Sequence, residues 1–182
     1  MLNIVKVSKI LYKISKYRDN KFSSPSYEQR QKLYSVSKEF YDFIINSIEE
    51  YISFFLNQKK LEEFRNAEKA KPLNLLFTPI GVNLMAYTYL YFIQNNKINI
   101  LKEKINKIDY DLYNGHFRDI YFSPVKNKII TSNDVIGRRL MLFLLGENTG
   151  VDENFFKIQL AKAYNINELS TQFLTFKLPI PV

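Results

Sequence analysis

Apolar residues recur at three- and four-residue steps along most of the chain, which is the periodicity of amphipathic helices. The longest such run covers residues 27–57, and Ser26 and Gln29 before it have the spacing of a capping box. Its core positions are Leu33, Val36, Phe40, Ile44, Ile48, Tyr51 and Phe55. Further apolar residues widen this stripe, so the pattern predicts one long, central helix over residues 27–57.

Similar stripes, helix caps and breakers predict shorter helices elsewhere. These cover residues 3–18, 60–70, 79–95, 98–108, 133–145 and 153–164. Two short β-prone runs, Asp119–Phe122 and Lys128–Thr131, indicate a small hairpin. Residues 73–77 and the tail 178–182 are predicted to be extended, the tail at the surface. The predicted fold class is mainly α: a single helical domain over residues 1–182, with six to seven helices and room for one small β-hairpin.

Residues 72–96 contain no charged side chain, and a stretch of this length can span a bilayer, which needs about 20 residues. Polar residues and prolines interrupt it, at Pro72, Asn74, Pro79 and Asn83. Thr78 followed by Pro79 is also typical of a helix start. We therefore favour a helix buried within the domain over a membrane span, and we expect no membrane contact.

Composition excludes several classes of protein. The chain has no cysteine, so it has neither disulfides nor a thiolate metal site. Lysines are spread through Met1–Lys21, which is unlike a secretory signal, and a cytoplasmic location is expected. With five glycines and no glycine-rich phosphate loop or nucleophile elbow, the sequence offers no recognised catalytic motif and no cofactor. We expect a protein that is not an enzyme.

Positive charge is concentrated near the start of the chain. The formal net charge is +8. Residues 1–32 hold eight cations and two anions, so they net +6 and the remainder nets +2. The cations are Lys6, Lys9, Lys13, Lys16, Arg18, Lys21, Arg30 and Lys32. In a helix over residues 3–18 the lysines form a stripe beside the apolar one, an arrangement suited to the phosphate backbone of DNA. The alternatives are a solvated helix face and a helix lying on a membrane surface.

Further candidates are weaker. Arg138 and Arg139 are adjacent in a predicted helix, and arginine forks suit phosphate, although two exposed arginines need no ligand. The 13 tyrosines and 15 phenylalanines offer stacking surfaces for bases, but most fall on core stripes. One loop contains four side chains with oxygen or imidazole groups, which are possible ligands of a divalent metal ion. They are Asp109, Asp111, His116 and Asp119. A loop-stabilising role is favoured there, and no metal is expected.

Three segments, taken in order and spacing, resemble the C-terminal helical half of DGQHR-type proteins, which include the B component of DNA phosphorothioation (Dnd) systems. The segments are KLYSVSKEFYDFI (32–44), LLFTPIGVNLMAYTYLYFI (75–93) and NKIITSNDVIGRRLMLFLLG (127–146). The DGQHR motif itself is absent, so no functional residue is carried over. The resemblance implies a setting in DNA modification, its regulation or phage defence, and a partner protein that supplies the missing half.

Two functional hypotheses follow. The first is a non-enzymatic DNA-associated protein that contacts phosphates through residues 1–22, a basic N-terminal helix or arm. Its binding residues would be Lys6, Lys9, Lys13, Lys16, Arg18 and Lys21, with Arg138 and Arg139 as weaker candidates. The alternative is a protein-interaction module, in which the apolar stripe of helix 3–18 docks on the partner and DNA is not contacted. An enzyme that uses the loop over residues 109–119 is the least favoured reading.

Overall fold

A computed structural model describes residues 26–56, 65–66, 71–72 and 74–182. Within these ranges the chain forms seven α-helices: α1 (Tyr27–Ser47), α2 (Glu49–Phe55), α3 (Pro79–Gln94), α4 (Ile98–Lys104), α5 (Asp134–Leu144), α6 (Glu153–Ala163) and α7 (Thr171–Thr175). Two antiparallel strand pairs join β1 (Arg65–Asn66) to β2 (Lys71–Pro72) and β3 (Phe122–Ser123) to β4 (Lys128–Ile129). The predicted mainly α fold with a small hairpin is confirmed. The predicted helix 3–18 lies outside the described residues.

Helix α3 lies at the centre of the fold. Its neighbours include α4, α5 and a 3-10 turn over Leu75–Phe77. It begins as the sequence indicates, because the Thr78 hydroxyl accepts a hydrogen bond from the backbone N–H of Gly81 at 3.0 Å, with Pro79 in the first turn. The prediction of a buried helix here is confirmed. No helix among the described residues combines the length and apolar character needed to cross a membrane.

The long helix predicted over residues 27–57 is interrupted, and this part of the prediction is wrong. Ile48 has extended backbone angles and separates α1 from α2, although its side chain is fully buried. The Asn106 side chain bridges the break: its amide donates to the Ser47 carbonyl at 2.9 Å, and its oxygen accepts from the Glu49 N–H at 3.0 Å. The interruption therefore depends on a partner that is remote in sequence, and helical periodicity cannot reveal it.

We expect Asn106→Ala to lower the free energy of unfolding by about 1 kcal/mol, because it removes two hydrogen bonds and leaves two backbone groups at the break to be paired by water alone. Urea unfolding followed by circular dichroism measures the change. Asn46→Ala is the matched control, because Asn46 is exposed like Asn106 and its side chain also donates to a backbone carbonyl, that of Asp42, but makes this single bond within one helix. Equal effects of the two substitutions would contradict the bridging role of Asn106.

Residues 65–77 also differ from the prediction. The helix expected over residues 60–70 is wrong at Arg65–Asn66, which form β1 and pair with β2. Lys71 precedes Pro72, and the residue before a proline is biased towards extended backbone, which favours strand pairing. Leu75–Phe77, which were expected to be extended, form a 3-10 turn. The Asn74 side chain caps this turn, because its oxygen accepts a hydrogen bond from the Leu76 N–H at 2.8 Å.

The C-terminal segment is extended, as predicted, but part of it is docked. The Val182 N–H donates to the Leu144 carbonyl at the end of α5, at 2.8 Å, and the side chains of Leu178 and Val182 pack on the core. Ile180 between them is 85% exposed. The short helix α7 before this segment was not predicted; it starts at a capping serine, Ser170.

Candidate functional site

The structure places only two of the predicted phosphate-binding residues. Lys6, Lys9, Lys13, Lys16, Arg18 and Lys21 lie outside the described residues. Arg138 and Arg139 belong to α5, directly after Gly137, whose lack of a side chain lets α5 approach the ring of Tyr121. A Cβ at position 137 would lie 2.2 Å from that ring, so the close contact fixes the position of the two arginines.

Both arginines face a groove between α3 and α5. Residues three and four apart share one face of a helix, and this spacing brings Val135, Arg138, Arg139 and Leu142 together opposite α3. The groove encloses about 330 Å³. Its wall on α3 and its rim consist of Tyr87, Thr88, Leu90, Tyr91, Gln94 and Thr149. The site therefore combines two cations with two tyrosines on a largely apolar floor.

Arg138 is held in place by two neighbours. Its guanidinium carbon lies 4.1 Å from the ring centroid of Tyr87, a cation–π contact. It also forms an ion pair with Asp134 one turn earlier in the helix, at 3.3 Å, and its Nε donates to the Asp134 carbonyl at the same distance. The charge of Arg138 is therefore largely balanced by Asp134, while its guanidinium lies over the ring of Tyr87.

Arg139 has a different environment. Its guanidinium donates to the side-chain oxygen of Gln159 on α6, which is a neutral acceptor. No carboxylate of the described residues lies within ion-pair distance of it. Arg139 is half-buried. Among the residues that the structure describes, no carboxylate therefore compensates the positive charge of Arg139 at the groove.

A network of charged and polar side chains joins Tyr91, in the wall of the groove, to the start of α4. The Tyr91 hydroxyl donates to Glu147 at 3.1 Å, and the Lys97 ammonium donates to the same carboxylate at 2.7 Å. Burial is the main cause that raises the pKa of Tyr91, and the hydrogen bond to Glu147 raises it further. The hydrogen bond to Glu147 also raises the pKa of Lys97. Glu147 is thus neutralised by Lys97 and does not offset the charge of Arg139.

The predicted cluster in the loop after α4 stabilises that loop. The Asp111 carboxylate accepts from the N–H groups of Tyr113 and Asn114, both at 2.7 Å, and that of Asp109 accepts from the Asp111 N–H at 2.9 Å. His116 Nδ1 accepts from the Asp109 N–H at 3.1 Å. Asp119 lies apart from these contacts and pairs with Arg118 at 3.4 Å. Within the described part of the chain, no three His, Asp or Glu side chains converge as metal ligands would.

Sequence reasoning missed the role of Tyr87 and Tyr91 in this groove. The tyrosines and phenylalanines were assigned as a group mostly to core stripes, whereas these two tyrosines are half-buried and line the groove. Their spacing of four residues, with Gln94 a further turn along, was the available signal, since it places two hydroxylated rings and an amide on one face of α3.

No family model matches the chain, and neither a curated protein nor a solved structure shows significant similarity to it.

Proposed function

We propose that this chain is a non-enzymatic, cytoplasmic DNA-associated protein that contacts the phosphate backbone through the basic segment 1–22. The observation that carries this proposal is the concentration of charge: residues 1–32 net +6 of a total of +8. Backbone contacts of this kind depend on charge and spacing rather than on a reading motif, so they need no recognisable DNA-binding fold.

The charge pattern of the helical part supports the assignment to the N-terminal segment. Residues 26–56 contain three cations and five anions and net −2, while residues 74–182 contain 12 cations and nine anions and net +3. Several of these cations are paired with carboxylates, among them Lys38, Lys97 and Lys162. The strongest attraction for a polyanion is therefore expected from residues 1–22. Arg138 and Arg139 remain weaker candidates for the duplex backbone, because both are half-buried in the groove between α3 and α5 rather than on an open surface.

The resemblance to the helical half of DGQHR-type proteins supplies the biological setting of the proposal, which is DNA modification or phage defence. Three segments carry it, and they correspond largely to α1, α3 and α5. The setting is testable separately from DNA contact, because a chain in this role would act with co-encoded proteins of a DNA-modification system.

We expect the protein to bind duplex DNA with a steep dependence on salt. If all six N-terminal cations contact phosphates, the slope of log affinity against log salt is about −5, from about −0.9 per contact. Exchanging Lys6, Lys9, Lys13 and Lys16 for Glu should reduce the slope to about −2 and abolish measurable binding near physiological salt. Fluorescence anisotropy of a labelled duplex across a salt series measures both quantities.

The control is a second variant with the same net charge. Exchanging Lys102, Lys107, Lys126 and Lys128 for Glu also lowers the formal net charge from +8 to 0, since each exchange removes one positive charge and adds one negative charge, and all four side chains are exposed. This variant should keep most of the affinity and most of the slope. Equal losses in both variants would show that overall charge, rather than the N-terminal segment, attracts DNA, and the proposal would be rejected.

The second candidate is a protein-interaction module, favoured by the exposed rings of α1. Tyr27 and Tyr34 are 69% and 66% exposed, and α1 buries no residue before Phe40. In this case removing residues 1–22 would abolish a complex with a co-encoded protein that carries the DGQHR half, while DNA would have no effect. Co-expression followed by size-exclusion chromatography with light scattering distinguishes the two candidates.

A further inference from the structure

We propose that the groove between α3 and α5 is a nucleotide-binding site, in which Arg139 binds the phosphate and the Tyr87–Arg138 pair stacks against the base. The ligand class is a single planar base joined through a sugar to one phosphate, either as a free nucleoside monophosphate or as one nucleotide of a single strand. This site is separate from residues 1–22, and the inference does not depend on DNA contact by that segment.

The anion position follows from the balance of charges around the groove. Of the described carboxylates near the groove, Asp134 is paired with Arg138 and Glu147 with Lys97. Arg139 is left half-buried beside a neutral amide, and a partly desolvated cation without a counter-ion attracts an anion more strongly than an exposed one. A guanidinium has five N–H donors, and the contact to Gln159 occupies one of them, so a fork remains for phosphate oxygens.

The stacking position follows from the geometry of Arg138. The Arg138 guanidinium lies over the ring of Tyr87, with its central carbon 4.1 Å from the ring centroid. The ion pair with Asp134 fixes the guanidinium in this position. Guanidinium planes and tyrosine rings are both surfaces on which bases stack. Because the arginine is already ordered, a base that stacks on this pair does not have to immobilise a flexible side chain.

The size and walls of the groove restrict the ligand further. A volume of about 330 Å³ is at the lower end of small-molecule sites, which range over about 300–1,000 Å³. It suits one nucleotide rather than a dinucleotide cofactor. Leu90 and Leu142 give the groove an apolar floor, which a bare phosphate ion would leave unused. Tyr91 and Gln94 add polar groups along the α3 wall, where the edge of a base or a sugar hydroxyl can form hydrogen bonds.

The test is isothermal titration calorimetry of the full chain with adenosine 5′-monophosphate, adenosine, inorganic phosphate and a 5′-phosphorylated single-stranded oligonucleotide. We expect the monophosphate to bind at least about tenfold more tightly than adenosine or phosphate alone, since charged hydrogen bonds and stacking both contribute. Tighter binding of the oligonucleotide would identify the source as a strand, and equal or weaker binding would identify a free nucleotide. Failure of both phosphorylated ligands to bind at millimolar concentration would overturn the proposal.

Variants separate this site from the N-terminal segment. Arg139→Gln should weaken monophosphate binding about tenfold or more, and Tyr87→Leu should weaken adenosine binding as well. Arg118→Gln is the matched control, because it removes an arginine that is half-exposed outside the groove. Exchanging Lys6, Lys9, Lys13 and Lys16 for Glu should leave monophosphate binding intact. Thermal melts verify that each variant is folded, and a folded Arg139→Gln protein with wild-type affinity would overturn the proposal.

Discussion

We expect Gly81→Ala to lower the free energy of unfolding by about 3 kcal/mol, although alanine is the better helix former. A Cβ at position 81 would lie 1.9 Å from the Leu75 carbonyl oxygen and 2.6 Å from its carbonyl carbon. These are backbone atoms, and the same carbonyl accepts from the Thr78 hydroxyl at 2.7 Å. The 3-10 turn would have to move away from α3, and the cap of α3 would be lost with it.

In a thermal melt this loss corresponds to a decrease in Tm of about 6–12 °C for a chain of this size. Gly150→Ala is the control, because no atom lies within 4 Å of its Cβ position and only its φ of +78° opposes a side chain. That strain should cost about 1 kcal/mol. A Gly81→Ala protein as stable as the wild type would mean that the 3-10 turn does not contact α3 as closely as described.

The second large effect is expected at Phe117, the middle ring of a buried aromatic stack. Its centroid lies 6.2 Å from that of Tyr110 and 5.8 Å from that of Tyr121, and all three side chains are at most 1% exposed. Phe117→Ala removes the ring and leaves a cavity between the two tyrosines, so the free energy of unfolding should fall by about 3–5 kcal/mol. Chemical denaturation in urea measures the change.

Two further substitutions test the cause. Phe117→Leu fills most of the cavity and should cost about 1.5 kcal/mol. Val125→Ala, at a position that is 94% exposed, should change the stability by no more than about 0.5 kcal/mol. If leucine destabilised the protein as much as alanine, the loss would come from the stacked rings themselves rather than from the cavity.

The sequence predicted those elements that are defined by neighbouring residues. The caps at Ser26 and Thr78 both accept backbone N–H groups as expected, and each depends on atoms three residues away. The small hairpin was also found, because its two runs are close in sequence. Elements that depend on remote partners were missed. The break at Ile48 needs Asn106, and the docking of the tail needs the end of α5.

The candidate site could be predicted only in part, for the same reason. Arg138 and Arg139 were identified as possible phosphate ligands because residue type suffices for that. Their different environments were not predictable, since Arg138 meets Tyr87 on α3 and Arg139 meets Gln159 on α6. The packing of α5 decides these contacts, and Gly137 allows that packing through a close approach to Tyr121.

The bridge made by Asn106 also has a consequence for the order of folding. Its two hydrogen bonds close loops of 57 and 59 residues, whereas the helical bonds on either side of Ile48 are local. Helical turns form in about a microsecond or less, and closure of long loops is slower because of its entropic cost. During early folding, residues 27–55 should therefore form one straight helix, as their periodicity implies. The break at Ile48 would then form late, when the turn over Ile105–Lys107 docks. At that point the continuous helix would separate into α1 and α2.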